Sequence, residues 1–136
     1  MTSIQRKFVL QTAILLVPAW LLCGPDALAD TVPAASPSYD DVSAAVASAA
    51  PGDTVTVPAG SATWTGQLTV TRGITLMGAG AELTTITGDV GGEAYVVAYQ
   101  PDDPSLDEAF RLTGFGIDLG FGSNGLLVRN SDVLHP

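Results

Sequence analysis

The chain has 136 residues, with 14 acidic side chains against five basic ones for a net charge of −9, and a single cysteine. An acidic balance of that size argues against nucleic acid and anionic lipid as partners. The lone cysteine excludes an internal disulfide, so stability must come from packing or bound ions.

Arg6 and Lys7 precede an apolar run from Phe8 to Leu22, and Ala27-Leu28-Ala29 then leads to Asp30. A basic start, a short apolar stretch and small residues ahead of a polar one predict a signal peptide over 1–29. Gln11, Thr12 and Pro18 interrupt the run, which falls short of the about 20 apolar residues of a spanning helix, so no membrane association is expected after cleavage. Leu21-Leu22-Cys23-Gly24 resembles a bacterial lipobox, yet Leu22 stands where that motif takes a small residue. Lipoprotein anchoring through Cys23 is therefore the weaker alternative to a secreted or periplasmic protein. Cleavage after Ala29 leaves 107 residues, with Arg72, Arg111 and Arg129 against 13 acidic side chains, a net charge of −10.

The segment 30–37 is small, proline-bearing and aperiodic, and predicts an extended linker. A helical segment follows over 38–52: Ser38 offers an N-cap oxygen, Asp40 and Asp41 put negative charge in the first turn, and Asp41 stands in a capping-box-like position. Val42, Ala45, Val46 and Ala49 then form one narrow apolar stripe that needs a partner, before Pro51-Gly52 stops the helix. From Asp53 onward the hydrophobic period changes to two. Short strands are expected around Val55–Val57, Leu68–Val70, Ile74–Leu76, Thr84–Thr87, Tyr95–Ala98, Phe115–Leu119 and Leu126–Val128, with turns at Pro58-Ala59-Gly60 and Gly78-Ala79-Gly80.

No second segment of helical period follows residue 50, so a βαβ plan is excluded. Asn124-Gly125 is the only strong hairpin dipeptide after the leader, which argues against an antiparallel sandwich or barrel. Apolar positions recur from Val55 to Ile74 (19 residues), Ile74 to Val96 (22) and Val96 to Ile117 (21), steps suited to a solenoid whose loops vary in length. Ser131-Asp132-Val133-Leu134-His135-Pro136 ends within a strand-like run with no closing cap. The expectation is a truncated stack, occupying 53–136, that continues beyond Pro136.

The run from Ala45 to Gly60, with Pro51-Gly52-Asp53 at its centre, and the later Gly73-Ile74-Thr75-Leu76-Met77-Gly78-Ala79-Gly80 resemble the N-terminal entry of the pectate-lyase-like superfamily. The resemblance implies an all-β right-handed parallel β-helix in which an amphipathic helix plugs the open end of the stack. It covers about Asp40 to Thr87 well and continues more loosely to Asn130. In that superfamily the catalytic residues sit on middle coils, and the entry segment serves lyases, hydrolases and noncatalytic surface proteins alike. No residue here matches a family catalytic motif, so no catalytic, cofactor-binding or metal-binding residue is assigned.

Several side chains nonetheless have chemical potential. Asp102, Asp103, Asp107 and Glu108 offer hard oxygen ligands of the kind calcium takes, though without the spacing of a dedicated loop, and Pro101 and Pro104 suit a solvated connection. Asp118 alternates with Ile117 and Leu119 and so faces outward, where Arg111 and Arg129 would approach it from adjacent coils as a sugar subsite or a weak surface ion pair. His135 lies near Ser123, Ser131 and Asp132, but no nucleophile elbow accompanies them. Asn130 suits an amide ladder. Trp64, Tyr95, Tyr99, Phe115 and Phe121 are candidates to stack on sugar rings or to pack inward, and Tyr95, Val97 and Tyr99 share a face.

The expected function is the N-terminal part of an exported lyase or glycoside hydrolase acting on extracellular polysaccharide, with calcium admitted as an ion of the full-length protein. The alternative is a noncatalytic surface or adhesion protein that binds glycans. On either reading the present chain alone is expected to be inactive.

Overall fold

The computed structural model describes residues 28–92, 94–105, 108–120 and 122–129. Most of the expected leader with Cys23, together with Asp107, Phe121, Asn130, Ser131, Asp132 and His135, lies outside the described residues. The described residues are predominantly β, with parallel strands and one short helix, an arrangement compatible with solenoid-like stacking. No described helix is long and apolar enough to cross a membrane.

In chain order the elements are β1 (Thr31–Pro33), α1 (Tyr39–Ser48), β2 (Thr54–Val57), β3 (Gly60–Trp64), β4 (Leu68–Val70), β5 (Thr75–Gly78), β6 (Thr84–Gly88), β7 (Tyr95–Tyr99), β8 (Arg111–Thr113), β9 (Gly116–Leu119) and β10 (Asn124–Val128). They form three sheets of order β1-β2-β5-β8, β3-β6-β9 and β4-β7-β10. Every pairing is parallel, and from β2 to β7 each strand bonds the strand three later. Three strand triplets thus follow one another, each lying beside the one before. Parallel strands need a crossover connection, usually helical; here two further strands make the crossover.

The segment 30–37, read from sequence as a linker, is extended but not free. β1 pairs with β2, Ala34 is buried, and the Ala34 amide donates to Thr56 O at 2.8 Å. Two further strands had weak sequence signals. β3 begins at Gly60, where a turn was expected, and β8 is only three residues long. Asn124-Gly125 turns no hairpin and instead opens β10, opposite Tyr95.

α1 follows from its caps and its stripe. Ser38 Oγ accepts from the Asp41 amide at 3.3 Å, while Asp41 reaches back through Ser36, whose hydroxyl donates to Asp41 Oδ2 at 2.5 Å and accepts from the Ser38 amide at 3.1 Å. The capping box is therefore relayed through one extra serine. Val42 and Ala49 are fully buried and Ala45 nearly so, and the helix packs against β1, β2, β3 and β4. At its far end Arg72, from the β4–β5 turn, donates to Ala49 O at 2.7 Å and Ala47 O at 3.3 Å, satisfying carbonyls that the helix leaves open.

The core is a set of apolar columns running across the triplets: Val55–Leu76–Leu112, Ala62–Ile86–Ile117 and Leu68–Val97–Leu126. These columns correct the expected series Val55, Ile74, Val96, Ile117: Val55, Val96 and Ile117 come from three different sheets and Ile74 from the β4–β5 connection. Apolar spacing could not separate the columns because loop lengths differ. Only residues 71–74 join β4 to β5, whereas 100–110 join β7 to β8. Burial is complete at Leu76 and falls to 45 % exposure at Leu126, in the last triplet.

One backbone approach is especially close. A Cβ on Gly78 would lie 2.2 Å from Gly114 O, and one on Gly114 would lie 2.5 Å from Gly78 O. With Gly114 at φ +73°, only glycine suits both positions.

Candidate functional site

The acidic segment 101–108 belongs to the long β7–β8 connection, and its carboxylates diverge. Asp103 folds onto its own loop, accepting from the Ser105 hydroxyl and amide, at 3.0 Å for the amide. Those bonds, the hydroxyl's first, hold its carboxyl below the usual aspartate range. Glu108 turns the other way, its Oε2 accepting from the Gly73 amide at 2.7 Å, and its carbonyl accepts from the Tyr99 hydroxyl at 2.9 Å. Among the described residues no group of three or more acidic, histidine or cysteine side chains is placed to hold a metal ion. Glu108 instead borders an open hollow of about 470 Å³ between Pro51-Gly52 and Gly73–Thr75.

Asp118 is exposed on β9, as alternation predicts, but its expected partners are elsewhere. Arg111 begins β8 and Arg129 follows β10, so the three residues belong to one triplet and to three different sheets. They do not approach from adjacent coils along one face. What Asp118 does share a row with is Thr87 on β6 and Thr63 on β3, and the neighbouring row is Ser61, Thr85 and Gly116. The hydroxyls of Ser61, Thr63, Thr85 and Thr87 alternate with buried or half-buried positions and make no hydrogen bond to the described residues. The result is a polar strip ending in a carboxylate. Strand spacing of about 4.8 Å and a two-residue step of about 6.7 Å set its grid, which can accept and donate hydrogen bonds to a polyhydroxylated ligand.

The aromatic candidates divide in favour of packing. Trp64 is 1 % exposed, donates through Nε1 to Pro37 O at 2.9 Å and meets Tyr39 edge-on at 6.0 Å. Tyr99 is buried and stacks on Phe110 at 5.0 Å; burial, aided by the charge of Glu108, pushes its hydroxyl pKa up. Phe115 packs half-buried against the core, and Tyr95 is half-buried.

The residue that sequence reasoning undervalued is Asp53. The change to strand period begins at Asp53, directly after Pro51-Gly52, and Gly52 at φ +90° makes the turn there. The side chain does more: Oδ2 accepts from the Ala50 amide and Oδ1 from the Asp30 amide, both at 2.8 Å, while Asp53 is 7 % exposed. These two bonds, Asp30's first, hold its carboxyl below the usual aspartate range against the opposing effect of burial. The Asp53 carbonyl accepts from the Thr75 amide at 2.9 Å, so one residue ties the lead-in, the helix exit and the second triplet. An aspartate directly after Pro-Gly, where its side chain can bond its own turn, was the available sequence signal.

No family model, curated protein or solved structure matches the chain. Its function is therefore argued from the arrangement of its own residues.

Proposed function

We propose that this chain is the entry section of an exported right-handed parallel β-helix protein, of the pectate-lyase-like kind, that acts on extracellular polysaccharide. The observation that supports this most is the strand order, in which each triplet lies parallel beside the last and α1 packs on the first. A stack of that kind presents long, rigid outer faces that an extended polymer can follow.

On this reading the reaction of the whole protein is lyase or glycoside hydrolase chemistry, and the present residues supply architecture and glycan contacts. The division of labour rests on dispersal of charge: Asp118, Arg111 and Arg129 lie in separate sheets, and Glu108 is occupied by Gly73. The contact surface is the strip of Ser61, Thr63, Thr85, Thr87 and Asp118. The same dispersal favours a second reading, a noncatalytic β-helix surface protein that binds glycans.

Affinity electrophoresis in gels containing neutral or acidic polysaccharides tests the proposal, together with assays for unsaturated products and new reducing ends. Retardation without product is expected, and Thr87→Ala combined with Asp118→Ala should weaken it. Failure to be retarded by every polysaccharide would refute the contact surface. Product formation would place reacting groups in this chain and overturn the division of labour.

A further inference from the structure

We infer that hydrolysis between Ala29 and Asp30 creates a mature N-terminus whose α-ammonium group pairs with the Asp53 carboxylate and fastens the start of the chain to the first strand triplet. The inference rests on the exported reading above and on the cleavage expected after Ala29, and adds to them a structural role for the freed amine.

Asp30 is where the chain becomes held. Its amide donates to Asp53 Oδ1 at 2.8 Å, its carbonyl accepts from the Thr54 amide at 2.8 Å, and its own Oδ1 accepts from the Thr31 amide at 2.7 Å. Just before it, Leu28 is 86 % exposed and Ala29 is exposed too. The small residues Ala27 and Ala29 thus end where the anchored backbone begins, and a nearly buried carboxylate oxygen points at the nitrogen that cleavage would free.

The chemistry balances simply. Water adds its oxygen to the Ala29 carbonyl carbon, the carbon–nitrogen bond breaks, and the leaving nitrogen takes a proton. At neutral pH the amine takes a second proton from solvent and becomes an ammonium. The amide-to-carboxylate bond, already assisted by the charge of its acceptor, then gains a charged donor and becomes an ion pair. Both protein contacts of the Asp53 carboxylate are backbone amides, so the ammonium would give this little-exposed charge a cationic partner. Processing would therefore complete the fold, with the strongest anchoring of β1 available only once the leader is gone.

Residues 30–136 contain no lysine, because Lys7 leaves with the leader, so in a chain of these residues an acetylating reagent has one amine to modify. Intact mass of the exported protein should give Asp30 as the first residue. Acetylation of the folded protein should run about tenfold slower than in urea, because the carboxylate holds the amine protonated, and Asp53→Asn should restore the fast rate. Should that variant not fold, the folded-to-unfolded rate ratio of the unaltered protein decides. Retention of Met1 would overturn both the export reading and the pairing. A lipidated start at Cys23, or any other start, would keep export and overturn the processing site. A start at Asp30 with equal folded and unfolded rates would leave export and the processing site standing and overturn the pairing alone.

Discussion

Leu76→Ala with Met77→Ala is the sharpest test of the strand register, because the two residues are neighbours on β5 and the structure gives them opposite fates. Leu76 is fully buried between Val55 and Leu112 of the flanking strands, whereas Met77 is 40 % exposed on the outer face. Truncating a fully buried leucine costs about 2–5 kcal/mol, rising with the cavity that remains. Hydrogen-bonded ladders hold β5 on both sides, so collapse is limited and about 3 kcal/mol is the working value. For a domain of this size that lowers the melting temperature by about 12–24 °C. Met77→Ala should stay within about 0.5 kcal/mol, as surface changes do. In a chain of residues 30–136 Trp64 is the sole tryptophan, and it is buried, so its fluorescence reports unfolding of the core, with far-ultraviolet dichroism as an independent probe. A slip of one residue would exchange the faces. Equal losses from the two substitutions, or a larger loss from Met77→Ala, would refute the register and with it the columns.

Four further substitutions test individual joints. Gly78→Ala should be destabilising beyond the usual cost of a surface change, and so should Gly114→Ala, because each new methyl would meet the other glycine's backbone oxygen; thermal melts that match the unaltered protein would contradict that approach. Thr84→Val should cost about 1–3 kcal/mol, since the buried hydroxyl accepts from the Ala79 amide at 2.9 Å and donates to Pro58 O at 3.1 Å, and denaturant titration measures it. Asp53→Asn should lower stability at neutral pH, because one of two accepting oxygens becomes a donor facing an amide. The folded-state pKa of Asp53 is depressed, so its contribution is full above the unfolded value of about 3.9 and is lost as pH falls through the folded value. The gap between variant and unaltered protein should therefore narrow with acidification, and a gap independent of pH would contradict the role of the charge.

How much of this could be read from sequence depends on the range of the interaction. The helix was legible because its signals are local: Ser38, the acidic first turn and an apolar stripe all act within a few residues. β2, β4, β6 and β7 were legible for a similar reason, as runs of β-branched and aromatic residues at period two. β3 was not, because Gly60-Ser61-Ala62-Thr63 has weak strand propensity and is held mainly by pairing with β6. β1 likewise depends on Asp53 and β2, contacts 23 residues away in the chain. The subsite of Asp118, Arg111 and Arg129 failed on topology. Strand alternation fixes which way a side chain points, but only the pairing fixes which sheet carries it.

The two β-to-β connections at equivalent corners suggest where chemistry enters an architecture like this. Between β4 and β5 the chain turns in residues 71–74, whereas between β7 and β8 it uses 100–110 without disturbing the pairing of β5 with β8. Long surface insertions cost little once the flanking strands are fixed, since closure entropy grows only slowly with length. The insertion contains all four carboxylates of the acidic segment and is anchored back to the stack by Glu108 on Gly73 and Tyr99 on the Glu108 carbonyl. The strands can therefore keep their columns while the corner carries polar groups, and the mid-loop residues Asp102 and Asp103 are exposed, the Asp103 carboxylate being held by Ser105. Glu108→Ala should loosen this corner by leaving the Gly73 amide without its acceptor. Faster amide exchange at Gly73, with the exchange of β2 unchanged, would mark the loop as a separately adjustable unit; faster exchange throughout the first triplet would show that the corner is part of the core.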